Sequence, residues 1–363
     1  MSKKALKYGI IGCGGIANGK HLPALSKLKD VEVVAFCDII PAKAEAANKQ
    51  YADGKGKVFT DYRDLLKEDL DAAFVLTPNC SHSEISVAAL KAGKNVLCEK
   101  PMAKNYKEAQ AMLAARDASG KLLTIGYQNR YRPDSLFLKS ECESGALGDI
   151  YFAKATAIRR RAVPTWGVFL DEEKQGGGPL IDIGTHALDL TLFTMNNYEP
   201  AYAVGTVYHK LNKDKKAGNA WGDWDPKKFT VEDSAFGFVV MKNGATIILQ
   251  SSWALNISTD VREAVTTLCG TKAGADMAAD GTLTINGIRN GRQYVLTPDL
   301  SAGGVAFFDG ASTKSDDLEA QTFARAIRGE GKLYVLPEEA IVVTRILEGI
   351  YKSAETGKPY YFD

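Results

Sequence analysis

Long apolar runs, a charge imbalance and clustered metal ligands are all missing from this sequence. No stretch of its 363 residues approaches the length of a bilayer span, so no transmembrane helix is expected. Basic and acidic residues number 45 and 44, a net charge of +1, with no basic tail or stripe to meet a polyanion. Neither a nucleic-acid partner nor a membrane partner is expected. Arg159, Arg160 and Arg161 form the densest basic run, which by default reads as a solvated strand end. Histidine is scarce, with four in the chain. The six cysteines (Cys13, Cys37, Cys80, Cys98, Cys142 and Cys269) lie far apart and include no C-x-x-C. That spacing argues against a structural metal, and a reduced, cytoplasmic protein is the expectation. The apolar stretch near the N-terminus is short and broken by Tyr8 and glycines, so it suits a buried strand better than a secretion signal.

What is present is an alternating pattern. Apolar runs at 6–11, 31–37, 72–76, 95–98 and 122–125 are separated by helical periodicity, clearest at 81–92 and 106–119. Buried runs alternating with amphipathic helices predict βαβ units and a doubly wound parallel sheet. After Pro133 the pattern changes. A helix near 134–143 and a strand at 150–159 precede a second helix after the run Gly176-Gly177-Gly178-Pro179. Strand-like runs then follow at 201–209, 234–241, 245–253 and 263–268, with turn signals such as Lys242-Asn243-Gly244. Helices at 318–327 and 337–353 close the chain. The predicted fold is α/β: a Rossmann domain over 1–126, then an α+β domain over 127–363 with a large, mainly antiparallel open sheet. The polar, tryptophan-bearing stretch 212–228 reads as a long exposed loop, open to a role as subunit contact or pocket lid.

Gly12-Cys13-Gly14-Gly15-Ile16-Ala17 matches G-x-G-x-x-G/A between an apolar strand and a helical pattern. Gly12 suits the tight turn, and Gly14 with Gly15 and Ile16 lets backbone approach a diphosphate at a helix N-terminus. Ala17 is small enough for close helix–strand packing. The next strand delivers Asp38, a carboxylate placed to accept from adenosine ribose hydroxyls and to repel a 2′-phosphate. NAD is therefore expected over NADP, although Lys43 is close in sequence and Asp38 also suits a helix N-cap ahead of Pro41. Two more strand ends carry Thr77-Pro78-Asn79 with His82, and Glu99-Lys100-Pro101. Both turns are expected to face the nicotinamide half.

Lys100 at such a strand end can polarise a substrate oxygen and share in proton transfer. Asp182 falls in the first turn of the helix after Pro179, and His186 lies four residues on, on the same face. A neutral histidine beside a carboxylate can take a hydroxyl proton as hydride leaves. The plainer reading is an N-terminal acidic residue and a satisfied core histidine.

In this order, the glycine turn, Glu99-Lys100-Pro101 and the run from Gly176 to Asp189 resemble the Gfo/Idh/MocA oxidoreductases, over residues 5 to about 355. The resemblance implies NAD(P)-dependent chemistry on sugars, polyols or glycosides. It also implies a homo-oligomer paired through the C-terminal sheet. Residue by residue, it implies a catalytic lysine at Lys100, an aspartate at Asp182 and a histidine base at His186. The segment Tyr127 to Pro133 resembles one lining the family's cleft, which makes Tyr127, Asn129 and Arg130 candidates for sugar hydroxyls. Arg159 and Trp166 precede the catalytic helix and are further candidates, Trp166 either stacking on a pyranose or serving as an ordinary core or interface residue. The stretch 159–169 is similar to that of members acting at ring C3. Two other functions remain open from sequence: a glycosidase working through transient oxidation, and an NAD-responsive regulator.

Overall fold

The first six strands are β1 (Leu6–Ile11), β2 (Val31–Cys37), β3 (Lys57–Phe59), β4 (Ala72–Val75), β5 (Asn95–Cys98) and β6 (Leu123–Ile125). They form one sheet in the order β3-β2-β1-β4-β5-β6, with every pair parallel. Strand β4 is buried at all four positions, as expected of a strand covered on both faces. Between β1 and β4 the order reverses, and the carboxyl ends of those strands flank the crevice where such sheets hold ligands. The computed structural model describes residues 4–214, 218–258, 263–278, 280–300 and 314–363. Residues 215–217 of the long loop read from sequence lie outside these.

The chain divides into two compact units, Met1–Tyr131 with Gly310–Ile341, and Arg132–Asp309 with Val342–Asp363. A single boundary at residue 126 does not anticipate the return of the later segment to the first unit. Its helix Ser315–Ile327 supplies Ala320, Phe323 and Ala324 to the core under the parallel sheet. There Phe323 meets the ring of Phe74 edge-on at 5.7 Å, and Phe74 lies 5.3 Å from Tyr8. Arg328, just past that helix, donates to the carbonyls of Lys4 (3.1 Å) and Asp30 (3.0 Å).

The second unit holds the remaining strands: β7 (Ile150–Ile158), β8 (Pro200–Tyr208), β9 (Ser234–Met241), β10 (Thr246–Ser252), β11 (Val265–Gly270), β12 (Ala273–Met277), β13 (Leu283–Arg289), β14 (Arg292–Leu296) and β15 (Tyr360–Tyr361). They form a nine-stranded sheet in the order β14-β13-β12-β11-β7-β10-β9-β8-β15. Among the described residues of this sheet only β7 and β10 pair in parallel, so it is mainly antiparallel, as expected. One face carries helices: Thr185–Met195 packs on β7 and β11. Ile350 sits so close to Gly205 and Gly237 that a Cβ there would come within 2.6 and 2.5 Å of it. On the opposite face Val204, Phe238 and Ile248 lie directly across from one another in register, with Val204 and Phe238 exposed.

Candidate functional site

At the nucleotide end, Gly12 has a φ of +94°, and a Cβ on it would fall 2.5 Å from the carbonyl oxygen of Leu76. Only glycine fits there. At Gly14 and Gly15 the situation is the opposite, because a side chain would meet no described atom within 4 Å. Open space over consecutive glycines at a helix start is the cradle that an NAD diphosphate requires. Asn18, which sequence reading does not single out, braces the turn by donating to the carbonyls of Cys13 (3.0 Å) and Gly14 (2.9 Å). Ile16 is exposed, and Ala17 is fully buried against the sheet. The helix continues as a π-helical turn, Ala17–His21.

Asp38 ties this turn to the next. One carboxylate oxygen accepts from the backbone N–H of Cys13 at 2.9 Å, the other from that of Ile40 at 2.9 Å. Ile40 is the N-cap residue of the following helix and receives no side-chain cap, so Asp38 is a brace of the turn and not the cap itself.

The two further strand ends are held from beneath. Thr77 is half-buried, with its hydroxyl oxygen accepting from Ser81 at 2.9 Å, while Pro78 is exposed and Asn79 half-buried. From sequence, His82 and Glu99 are expected among the cofactor contacts, but the structure buries both side chains against the protein. His82 is buried, its Nδ1 2.8 Å from the carbonyl oxygen of Pro101 and its Nε2 2.8 Å from that of Thr77. Burial lowers its pKa below the ordinary histidine value, against the pull of those two carbonyls. Its ring lies between the two turns, and in the neutral form its single N–H donates to one of the two carbonyls. Glu99 is buried and accepts from Lys20 Nζ at 2.9 Å, with His21 Nε2 2.8 Å away. Lys20 also pairs with Glu319 at 2.9 Å. Burial works against the Glu99 charge, but Lys20 and hydrogen-bonded His21 outweigh it and hold the carboxyl well below the usual range. The second Glu99 oxygen accepts from the backbone N–H of Lys100 at 3.0 Å, and the Lys100–Pro101 peptide is cis.

In the second unit, the glycine run is dictated by what lies against it. A Cβ at Gly178 would fall 2.1 Å from the carbonyl oxygen of Glu232, and one at Gly177 would fall 2.1 Å from the Tyr351 hydroxyl. The buried Glu232 carboxylate accepts from the backbone of Gly178 (2.8 Å) and Leu180 (3.1 Å) and from Tyr351 (2.8 Å). Burial nevertheless pushes its pKa up from the ordinary value. A carboxylate on the first N–H groups of a helix serves as its cap and favours the positive helix end. Asp182 lies in a π-helical turn, Leu180–Gly184, that runs into the helix Thr185–Met195 bearing His186. Turns of this kind are uncommon and recur at functional sites. Asp182 is half-buried and accepts from the indole Nε1 of Trp253 at 2.9 Å; His186 is buried. Trp253, fully buried just after β10, is a partner of Asp182 that sequence reading passes over.

The remaining candidates divide. Arg130 is fully buried, donating to the carbonyl of Tyr334 at 2.9 Å and pairing with Glu339, so its guanidinium is spent on the protein and not on a sugar hydroxyl. Tyr127 is fully buried and Asn129 half-buried. Arg159 pairs with Glu263 and donates to the carbonyl of Ala162 at 3.0 Å. Trp166 is exposed. Among the described residues no group of three or more His, Cys, Asp or Glu side chains is placed to hold a metal ion. Nor is any described helix long and apolar enough to cross a membrane.

A doubly wound sheet with this strand order, a glycine cradle and a carboxylate closing β2 defines a dinucleotide-binding domain. Residues 6–127 match the description "Oxidoreductase family, NAD-binding Rossmann fold", and residues 136–276 match "GFO/IDH/MocA C-terminal domain". The chain belongs to the Gfo/Idh/MocA family of NAD-binding oxidoreductases. It is 34% identical over 358 residues to a D-glucoside 3-dehydrogenase of Escherichia coli, covering 98% of this chain and 97% of that protein. It is 32% identical over 242 residues to a glucose-6-phosphate 3-dehydrogenase of Bacillus subtilis, covering 65% of each. In fold it is similar to a levoglucosan dehydrogenase solved with NADH and levoglucosan, with a TM-score of 0.83 at 19% identity over 98% of this chain and 99% of that one.

Proposed function

We propose that this protein oxidises the C3 hydroxyl of a D-glucoside with NAD as hydride acceptor. The observation that carries the reading is the identity along nearly the whole chain to a protein named for that reaction. A second relative named for position 3 of a glucose derivative points to the same carbon.

In this reading His186 accepts the hydroxyl proton, Asp182 orients the imidazole, and Trp253 holds Asp182 in place. Lys100 donates to the substrate oxygen as it becomes a carbonyl. Its backbone is held from both sides, by Glu99 at its own N–H and by His82 at the Pro101 carbonyl. Bound NAD supplies the hydride acceptor, the nicotinamide ring. Gly12, Gly14, Gly15 and Ile16 take its diphosphate, Asp38 its ribose hydroxyls, and Thr77, Pro78, Asn79 and Lys100 its nicotinamide half. Asn129, Arg159 and Trp166 serve the sugar, whereas Tyr127, expected there from sequence, is fully buried.

The open sheet face supports a homo-oligomer. Phe238 and Val204 stay exposed in the single chain, and a second copy laid on the same face would cover them. All six cysteines are free, in keeping with a reducing cytoplasm.

The test is to mix purified protein with NAD and a panel of glucosides, free sugars and inositols, following NADH absorbance and product mass together. NADH with a loss of two hydrogens, oxidised at C3, is expected for the glucosides. Aglycone release without NADH would move the assignment to the glycosidase. His186→Ala is expected to abolish turnover and keep NAD binding; turnover unchanged in that variant would sink the proton-transfer role.

A further inference from the structure

The described part of the loop at 212–228 is pinned along the segment at 159–169. Ala220 N–H donates to the carbonyl of Arg161 at 3.0 Å. The Asn219 side chain exchanges two hydrogen bonds with the backbone of Val163, at 2.8 and 2.9 Å. Thr165 donates its hydroxyl to the carbonyl of Trp221 at 2.7 Å. The loop's two tryptophans then take opposite parts. Trp224 is buried edge-on against Phe229 at 5.5 Å and anchors the loop. Trp221 remains 41% exposed and meets Trp166, 52% exposed, at 5.0 Å with 69° between the rings. The Arg159 guanidinium lies 5.0 Å from the Trp221 ring centre, and Phe169 meets Trp166 edge-on at 5.9 Å.

Two neighbouring indoles left in water gain little for the fold, and exposed aromatic surface of this kind marks a binding site. Its position matters as much. Arg159 N–H donates to the carbonyl of Ser252 at 2.8 Å, and Ala162 N–H to that of Trp253 at 2.9 Å. Trp253 in turn holds Asp182. The aromatic corner is therefore fastened to the same strand ends, of β7 and β10, that position the Asp182 carboxylate.

We propose that Trp166 and Trp221 form a subsite for a second ring, the one attached through the glycosidic oxygen of the substrate. The electron-rich indole faces attract the weakly positive C–H edges that an aryl ring and a hexopyranose both present. This rests on the glucoside reading above and deepens it: the substrate carries a cyclic aglycone, and the corner sets the preference for it over a small alkyl group.

The test is calorimetric affinity for phenyl β-glucoside, cellobiose and methyl β-glucoside, with the protein saturated by NADH so that binding occurs without turnover. Wild type is expected to bind at least one of the two-ring probes more tightly than the methyl glucoside. In Trp221→Ala and Trp166→Ala that ratio is expected to fall by about tenfold, the worth of an aromatic contact, with Trp221→Phe retaining most of it. Loss confined to phenyl β-glucoside assigns an aryl aglycone; loss confined to cellobiose assigns a sugar. The proposal is overturned by a wild type without the preference or by a ratio that survives both alanine substitutions. A change in subunit assembly with the ratio intact would equally overturn it, because the corner would then be an interface. If the ratio responds as expected but no glucoside yields NADH, the subsite stands and the C3-oxidation reading falls.

Discussion

The side chain of Glu99 accepts a hydrogen bond from the backbone N–H of the next residue, Lys100, at 3.0 Å, while its other oxygen is gripped by Lys20 at 2.9 Å. A buried ion pair thus fixes the peptide that carries the proposed substrate-polarising lysine. Charge buried at this depth is retained only where its partners satisfy it.

Replacing Glu99 by Ala leaves the Lys20 ammonium with Glu319 alone, and is expected to cost about 3–5 kcal/mol of stability. The pH dependence has a definite sign. The folded carboxyl lies well below its unfolded value of about 4.3, so its contribution is complete above that pH and fades as pH falls through the folded value. Thermal melts of wild type and Glu99→Gln should therefore differ most near neutrality and converge below about pH 4. A gap that widens in acid would contradict the ionised Glu99.

Asp38 is expected to govern the choice of cofactor. Its carboxylate organises the glycine turn through Cys13 and Ile40, and its charge would repel a 2′-phosphate. In Asp38→Ser the KM for NAD should rise by about tenfold, the value of a charged hydrogen bond, and the preference for NAD over NADP should narrow. Steady-state kinetics with both cofactors decide it. An undiminished preference would place the discrimination elsewhere.

The indole donor of Trp253 can be removed with its packing largely kept. Trp253→Phe is expected to lower kcat by about tenfold or more, since hydrogen bonds to charged groups are worth about 1.5–3 kcal/mol. NAD affinity, measured by fluorescence titration, should stay within about twofold of wild type, well below the tenfold of one charged hydrogen bond. A loss confined to cofactor affinity would count against a role through Asp182.

On the open sheet face, Phe238→Glu places a charge between Val204 and Ile248. Light scattering should show wild type as an oligomer and the variant shifted toward monomer, with the fold intact by circular dichroism. Wild type running as a monomer would refute pairing through this face.

Much of the site is legible along the chain because its signals are local. The turn Gly12-Cys13-Gly14-Gly15, the carboxylate at the end of β2 and the helix start that precedes His186 each depend on residues within one turn of themselves. The β13–β14 hairpin carries a local signal of the same kind, although the runs read from sequence do not include it: Asn290 and Gly291 both take positive φ, 51° and 73°, in the two-residue turn that Asn-Gly favours. The strand-like runs read from sequence end at 263–268 and do not include β12 to β15, of which β12, β14 and β15 are only five, five and two residues long. Arg130 misleads because a polar residue in a promising loop looks the same whether it meets substrate or, as here, Glu339 far along the chain.

Local sequence is enough to specify the parallel sheet, the glycine cradle, the strand-end placement of Lys100 and the sharing of one helical segment by Asp182 and His186. Periodicity and backbone sterics act between near neighbours, and those features need nothing more. Tertiary structure decided what supports them. It brought Trp253 to Asp182, Lys20 and Glu319 to Glu99, His82 to the Thr77 and Pro101 carbonyls, and the helix Ser315–Ile327 back to the first core. Those partners are chosen by close packing and by the need to satisfy every buried polar group, conditions set only once distant segments share a common interior.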